Sequence, residues 1–153
     1  MIDDRYRAKL QATIEALRYW VPTISDSASI AETDSADYWR IDVSPHIANT
    51  CPFELILRTD GYHDLIVAGE ASEDQPTDDL DLFVPLAQAI SNGRVIQKIA
   101  HSAATQTPLS IETIVMLPKG STWKRFRELD AASSVGIRNE TVVETRHFLP
   151  YKR

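Results

Sequence analysis

The sequence is short of the residues that usually betray a chemistry. It has one cysteine, Cys51, so no internal disulfide can form, and a reducing compartment is the expected setting. No apolar run approaches the ~20 residues of a membrane helix. The first ten residues, MIDDRYRAKL, lack the apolar segment of a secretory signal. A cytoplasmic location with no membrane contact is the resulting expectation. The five glycines are scattered. There is no GxGxxG, no Walker loop and no GxSxG, which argues against a phosphate cradle or a serine elbow. Cations are missing too: no lysine or arginine lies between Arg58 and Arg94.

Carboxylates fill that gap. Residues 70–81 hold six: Glu70, Glu73, Asp74, Asp78, Asp79 and Asp81, with Asp60 and Asp64 just upstream. Residues 1–90 carry 17 Asp+Glu against 6 Lys+Arg, whereas residues 91–153 carry 5 against 10, and the whole chain is at −6. An acidic field repels nucleic-acid phosphates and attracts cationic partners. The expected partner is therefore a basic protein and not a nucleic acid.

With 153 residues, 43% of them apolar, the chain reads as one globular domain, 1–153. Tyr6, Leu10, Ile14, Leu17 and Val21 recur at helical spacing, which predicts a helix over residues 4–21 ended by Pro22. The small, polar residues 22–36 read as a loop. The period then becomes two. Trp39, Ile41 and Val43, then Phe53, Leu55 and Leu57, then the stretch DLIVAG predict a three-stranded meander over residues 38–69. Asp60-Gly61 is the hairpin turn, with positive φ expected at both residues. The stretch 70–80 reads as an acidic loop. Pro85 belongs in a helix's first turn and not its interior, so the next helix starts near Asp81 or later and stops at Asn92-Gly93. Residues 94–103 and 109–117 predict two strands, 122–132 a short helix with Phe126 and Leu129 inward, 133–139 a loop, and 140–151 a last strand. The expected class is α+β, in the order α-βββ-α-ββ-α-β, a mostly antiparallel sheet packed by helices.

Candidate chemistry is sparse. The acidic stretch has Pro76 and no central glycine, unlike a calcium-binding EF-hand loop. Cys51 lies in no motif with any of His46, His63, His101 or His147, so a nucleophilic role is not indicated. His63 and Asp64 are neighbours on a strand and point to opposite faces. The basic cluster Lys119, Lys124, Arg125 and Arg127 surrounds Trp123 and Phe126, but Glu128 and Asp130 follow at once. No cofactor and no metal ligand set is expected.

The runs FELILR, VPLAQAISNGRVIQKIAHS and IETIVMLP, within residues 53–129, resemble the suppressor-of-fused-like domain. Pro85, Asn92, Gly93 and His101 occupy places comparable with that family's helix-opening proline, its turn and the histidine near the end of the next strand. The resemblance implies a non-enzymatic, protein-binding role such as that of immunity proteins. The element order is also similar to that of type III secretion chaperones.

The leading expectation is thus a cytoplasmic interaction domain, immunity- or chaperone-like, binding a cationic protein through Asp60, Asp64, Glu70, Glu73, Asp74, Asp78 and Asp79. The alternative is a small enzyme or ligand-binding protein whose pocket gathers His101, His147, Arg146 and Glu144. Pairing of two copies through an exposed sheet edge is a third.

Overall fold

A computed structural model describes residues 4–129 and 140–152. Helix α1 spans Asp4–Trp20 and buries Leu10, Thr13, Ile14, Leu17 and Trp20. Pro22 has no amide hydrogen to continue it, and the chain tightens into a 3-10 turn at Val21–Thr23. Five strands follow: β1 (Ala28–Asp34), β2 (Tyr38–Pro45), β3 (Phe53–Arg58), β4 (Tyr62–Val67) and β5 (Glu70–Pro76). They form an antiparallel meander in sequence order. After a 3-10 turn at Leu80–Leu82 comes helix α2 (Phe83–Ser91), then β6 (Val95–Ser102), β7 (Pro108–Met116), β8 (Thr122–Glu128) and β9 (Thr141–His147). These four make a second antiparallel sheet, ordered β8-β7-β6-β9.

The order α-βββ-α-ββ-α-β is therefore corrected to α-βββββ-α-ββββ among the described residues, with two sheets and two α-helices. The third helix fails because residues 122–128 pair with β7 from Met116↔Thr122 to Ser110↔Glu128. In that strand Trp123, Arg125 and Arg127 share a face. Trp123 packs on the core, while Arg127 binds Glu70 and Arg125 donates to the Ala71 carbonyl. A face whose inward side chains are arginines shows no apolar alternation, so only the three-residue spacing of Phe126 and Leu129 was visible. Phe126 is in fact 55% exposed.

Two expected loops are also strands. Residues 28–34 pair with β2 from Ala28↔Pro45 to Asp34↔Trp39. Residues 70–76 pair with β4, with a register break between His63 and Leu65. The hairpin between β3 and β4 uses three residues, Thr59–Gly61, and only Gly61 of the three has positive φ, at 88°. Asp60 instead accepts the Tyr62 amide at 3.1 Å, an Asx turn. The loop expected at 133–139 lies outside the described residues.

Both helices lie on the inner face of the first sheet. Trp39, Ile41, Val43, Phe53, Leu55, Leu57, Leu65 and Val67 form that face, and α1 and α2 complete the cluster. The second sheet joins the body at one end, through Val95, Val115 and the C-terminal residues Phe148 and Tyr151. Residues 148–151 are the seam. The Leu149 amide donates to the Asn49 carbonyl at 2.8 Å, and the Tyr151 amide donates to the Ser91 carbonyl at 2.9 Å. Gly93 is required here: its φ is +77°, and a Cβ at that site would stand 2.6 Å from the Pro150 nitrogen.

Candidate protein-binding surface

Strand alternation that buries one face of the first sheet delivers the other to solvent. On β2 and β3 the outward residues are Tyr38, Arg40, Asp42, Glu54, Ile56 and Arg58. Register puts Asp42 opposite Glu54 and Ile56 opposite both Arg40 and Asp64. Arg40 bridges the first acidic pair, at 2.6 Å to Glu54 and 3.2 Å to Asp42. Arg58 serves the second group, at 2.5 Å to Asp60, 2.5 Å to Asp74 and 3.8 Å to Asp64. Its guanidinium also lies 5.7 Å from the Tyr62 ring centre. Hydrogen bonds donated to the Asp60 and Asp74 carboxylates raise the pKa of Arg58, and Arg58 in turn holds the Asp60 carboxyl below its ordinary range. Between the two arginines opens a cavity of about 540 Å³, floored by Ile56 and walled by Asp37, Tyr38, Asp60 and Asp64.

The carboxylates grouped by sequence separate in space. Asp60, Asp64 and Asp74 surround Arg58. Asp64 also accepts the Asp74 amide at 2.7 Å, at a residue whose φ is +53°. Glu73, Asp78 and Asp79 are exposed. Asp79 accepts the Asp81 amide at 3.0 Å and opens the 3-10 turn, while Asp81 meets Lys9 of α1 at 3.1 Å. Glu70 is the exception. It is buried, and both carboxylate oxygens take hydrogen bonds from Arg127 of the second sheet, at 3.0 and 3.1 Å.

Arg58 as the hub was missed at the sequence level, although a signal existed. It is the last cation before the acidic stretch, and its place two residues after Ile56 puts it on the outward face of a strand. Arg127 had no such signal, because its role depends on a strand that local periodicity did not show.

His63 lies on the inward face of β4. Its ring meets Phe83 edge-on at 4.9 Å, and Nδ1 is 3.0 Å from the Thr77 hydroxyl. Burial lowers its pKa below 6.5, outweighing the attraction of Asp64 and Asp78 for the imidazolium. The folded protein thus resists a proton that the unfolded chain accepts. This contribution to stability is complete above the unfolded value of 6.5 and is lost as pH falls below it. Urea midpoints followed from neutral pH towards pH 5 should decline, and the decline should be shallower in His63→Asn. Parallel curves would show that His63 is not responsible.

Cys51 is fully buried, and burial pushes its thiol up to about 12. At neutral pH it is a protonated core residue, not a thiolate. The four residues of the alternative pocket do not converge. His101 and Glu144 share a cavity of about 370 Å³ with Nε2 and Oε2 4.0 Å apart. Arg146 lies on the same face but stacks 5.1 Å over Phe148. His147, opposite Ile96, is on the other face of the sheet. No group of three or more metal-ligating side chains is assembled among the described residues. No helix there is long and apolar enough to cross a membrane. Compared with family models, with curated proteins and with solved structures, the chain finds no match.

Proposed function

We propose that this protein is a non-enzymatic, cytoplasmic interaction domain that binds a basic protein through the outward face of its first sheet. The observation that carries this reading is the arrangement around Arg58. Three carboxylates converge on one guanidinium beside an open cavity with an apolar floor, and Glu73, Asp78 and Asp79 add exposed negative charge elsewhere on the acidic stretch. The charge left over is negative, and Ile56 with Tyr38 offers a small apolar anchor. A lysine or arginine side chain fits such a site: its stem packs on Ile56 while its head reaches carboxylates that one arginine cannot satisfy. The resemblance of residues 53–129 to the suppressor-of-fused-like domain supports the same reading, as an immunity- or chaperone-like binder.

The test uses Asp74→Asn, Asp78→Asn and Asp79→Asn together. Asparagine tolerates the left-handed backbone at 74 and caps as aspartate does at 79, so charge is removed with little change of shape. For a basic protein retained from lysate at low salt and released at high salt, the association rate of the triple variant should fall about tenfold at low ionic strength. The difference should shrink as salt rises. An unchanged rate at low salt would reject the acidic surface as the binding site.

A further inference from the structure

Among the described residues the two sheets have four edges, and three of them are blunted. Strand β1 ends in Glu32 and Asp34, both held by Arg18 of α1 at 2.5 and 3.0 Å. Strand β5 carries a left-handed Asp74, Pro76 and the register break against β4. Strand β8 is crowded with Lys124, Arg125, Arg127 and Glu128, and two of its arginines are tied to the start of β5. Such charges, bulges and prolines are the usual protection of a sheet edge. Strand β9, Thr-Val-Val-Glu-Thr-Arg-His, has no proline, no glycine, no positive φ and no register break against β6, and its charged residues are one of each sign, Glu144 and Arg146. All seven of its residues are exposed, Val142 and Val143 by 57% and 56%.

Hydrogen-bond parity shows which groups this edge offers. The Phe148 amide donates to the Val95 carbonyl, and the Ala103 amide donates to the Glu140 carbonyl. Both pairs continue the β6–β9 register, in which Gln97 faces Arg146 and Ile99 faces Glu144. In an antiparallel ladder, alternate residues turn both N–H and C=O to the same neighbour. Residues 142, 144 and 146 therefore bond inward to β6. Thr141, Val143, Thr145 and His147 turn their amides and carbonyls outward, where no described residue meets them.

We infer that β9 pairs antiparallel with β9 of a second copy of this chain, with Thr145 on the two-fold axis. In that register Thr145 faces Thr145 and Val143 faces His147, so every outward amide and carbonyl from 143 to 147 finds a partner. The non-bonded positions between them place Glu144 opposite Arg146, twice by symmetry. These are the positions where side chains across an antiparallel pair lie closest. The neighbouring registers are worse. Moving the axis to residue 144 or 146 sets two carboxylates or two guanidinium groups face to face. The charges that would ordinarily guard an edge are here spaced two apart with opposite sign, so they select one self-complementary alignment. The two four-stranded sheets become one continuous eight-stranded sheet, on a part of the molecule separate from the acidic face.

The experiment is sedimentation of the intact chain across micromolar concentrations, with two charge reversals. The unaltered protein should dimerise. Glu144→Arg sets two guanidinium groups together across the axis, and Arg146→Glu sets two carboxylates together. Each alone should weaken self-association about tenfold or more. Mixed in equal amounts, the two variants are complementary at both sites and should form a mixed dimer as tight as the unaltered one. Recovery on mixing also shows that both variants are folded. A monomer at every concentration would overturn the inference. So would a dimer indifferent to both reversals, or single variants that weaken but are not rescued by mixing.

Discussion

Tyr151→Ala is expected to cost about 4–5 kcal/mol of folding stability, near the upper end for truncating a buried aromatic. Only 1% of Tyr151 is exposed, and its hydroxyl donates to the Cys51 carbonyl at 2.5 Å, one hundred residues earlier in the chain. Burial raises the pKa of its phenol, so the ring stays neutral and donating. Its amide also holds the end of α2 through the Ser91 carbonyl. The truncation would leave a cavity between the sheets and a buried carbonyl without its donor. Tyr151→Phe separates the two contributions: it keeps the ring, removes the donor and should cost about 1–2 kcal/mol. Urea denaturation of both variants measures the difference. A loss below ~1 kcal/mol in the alanine variant, within the range of an ordinary surface change, would mean that the C-terminal seam is not part of the cooperative unit.

Arg127→Ala should be the second most damaging change, at about 3 kcal/mol, or a fall in Tm of ~9 °C for a chain of this size. The argument rests on asymmetry. The Glu70 side chain is 9% exposed and that of Arg127 is 47% exposed. Removing the arginine strands a carboxylate where water hardly reaches it. Removing the carboxylate leaves an arginine whose charge water already reaches, its side chain being about half exposed. Glu70→Ala should therefore cost less, about 1.5 kcal/mol. Thermal unfolding of the two single variants decides this. Equal losses, or a larger loss for Glu70→Ala, would show that the desolvated carboxylate is not the main contributor. The comparison also bears on function, because a Glu70 spent on holding two sheets together is not available to a partner.

The acidic stretch shows how far local reading goes. Charge density between Glu70 and Asp81 is a property of the sequence, and so is the missing cation between Arg58 and Arg94. The division of labour among those carboxylates is not. Asp74 on β5 reaches Arg58 on β3 across the intervening strand β4, 16 positions away in sequence, and Glu70 meets Arg127 by a contact across 57. Neither leaves a mark in the local pattern of apolar and polar residues. The four residues of the alternative pocket fail for a related reason: Arg146 and His147 are adjacent in sequence, and strand pleating sends them to opposite faces.

What the sequence determined by itself is what short-range sterics and amphipathic period can decide. It set α1 and its stop at Pro22, the meander β2–β4, α2 with Pro85 in its first turn and Gly93 beyond its end, and strands β6, β7 and β9. In the helices and the meander the residues that face inward are mainly apolar and recur at the element's own period, so burial and local geometry agree, whereas β9, exposed throughout, is legible from its β-branched residues alone. Tertiary structure alone decided β1, β5 and β8, the split into two sheets, and the seam at Tyr151. Apart from Ile30 and Trp123, the inward or pairing residues of those strands are mainly small, acidic or basic, and they become strands only when a neighbour supplies the hydrogen-bond ladder and an opposite charge. For the same reason, which carboxylates face solvent and which are already neutralised is decided by pairing across the fold.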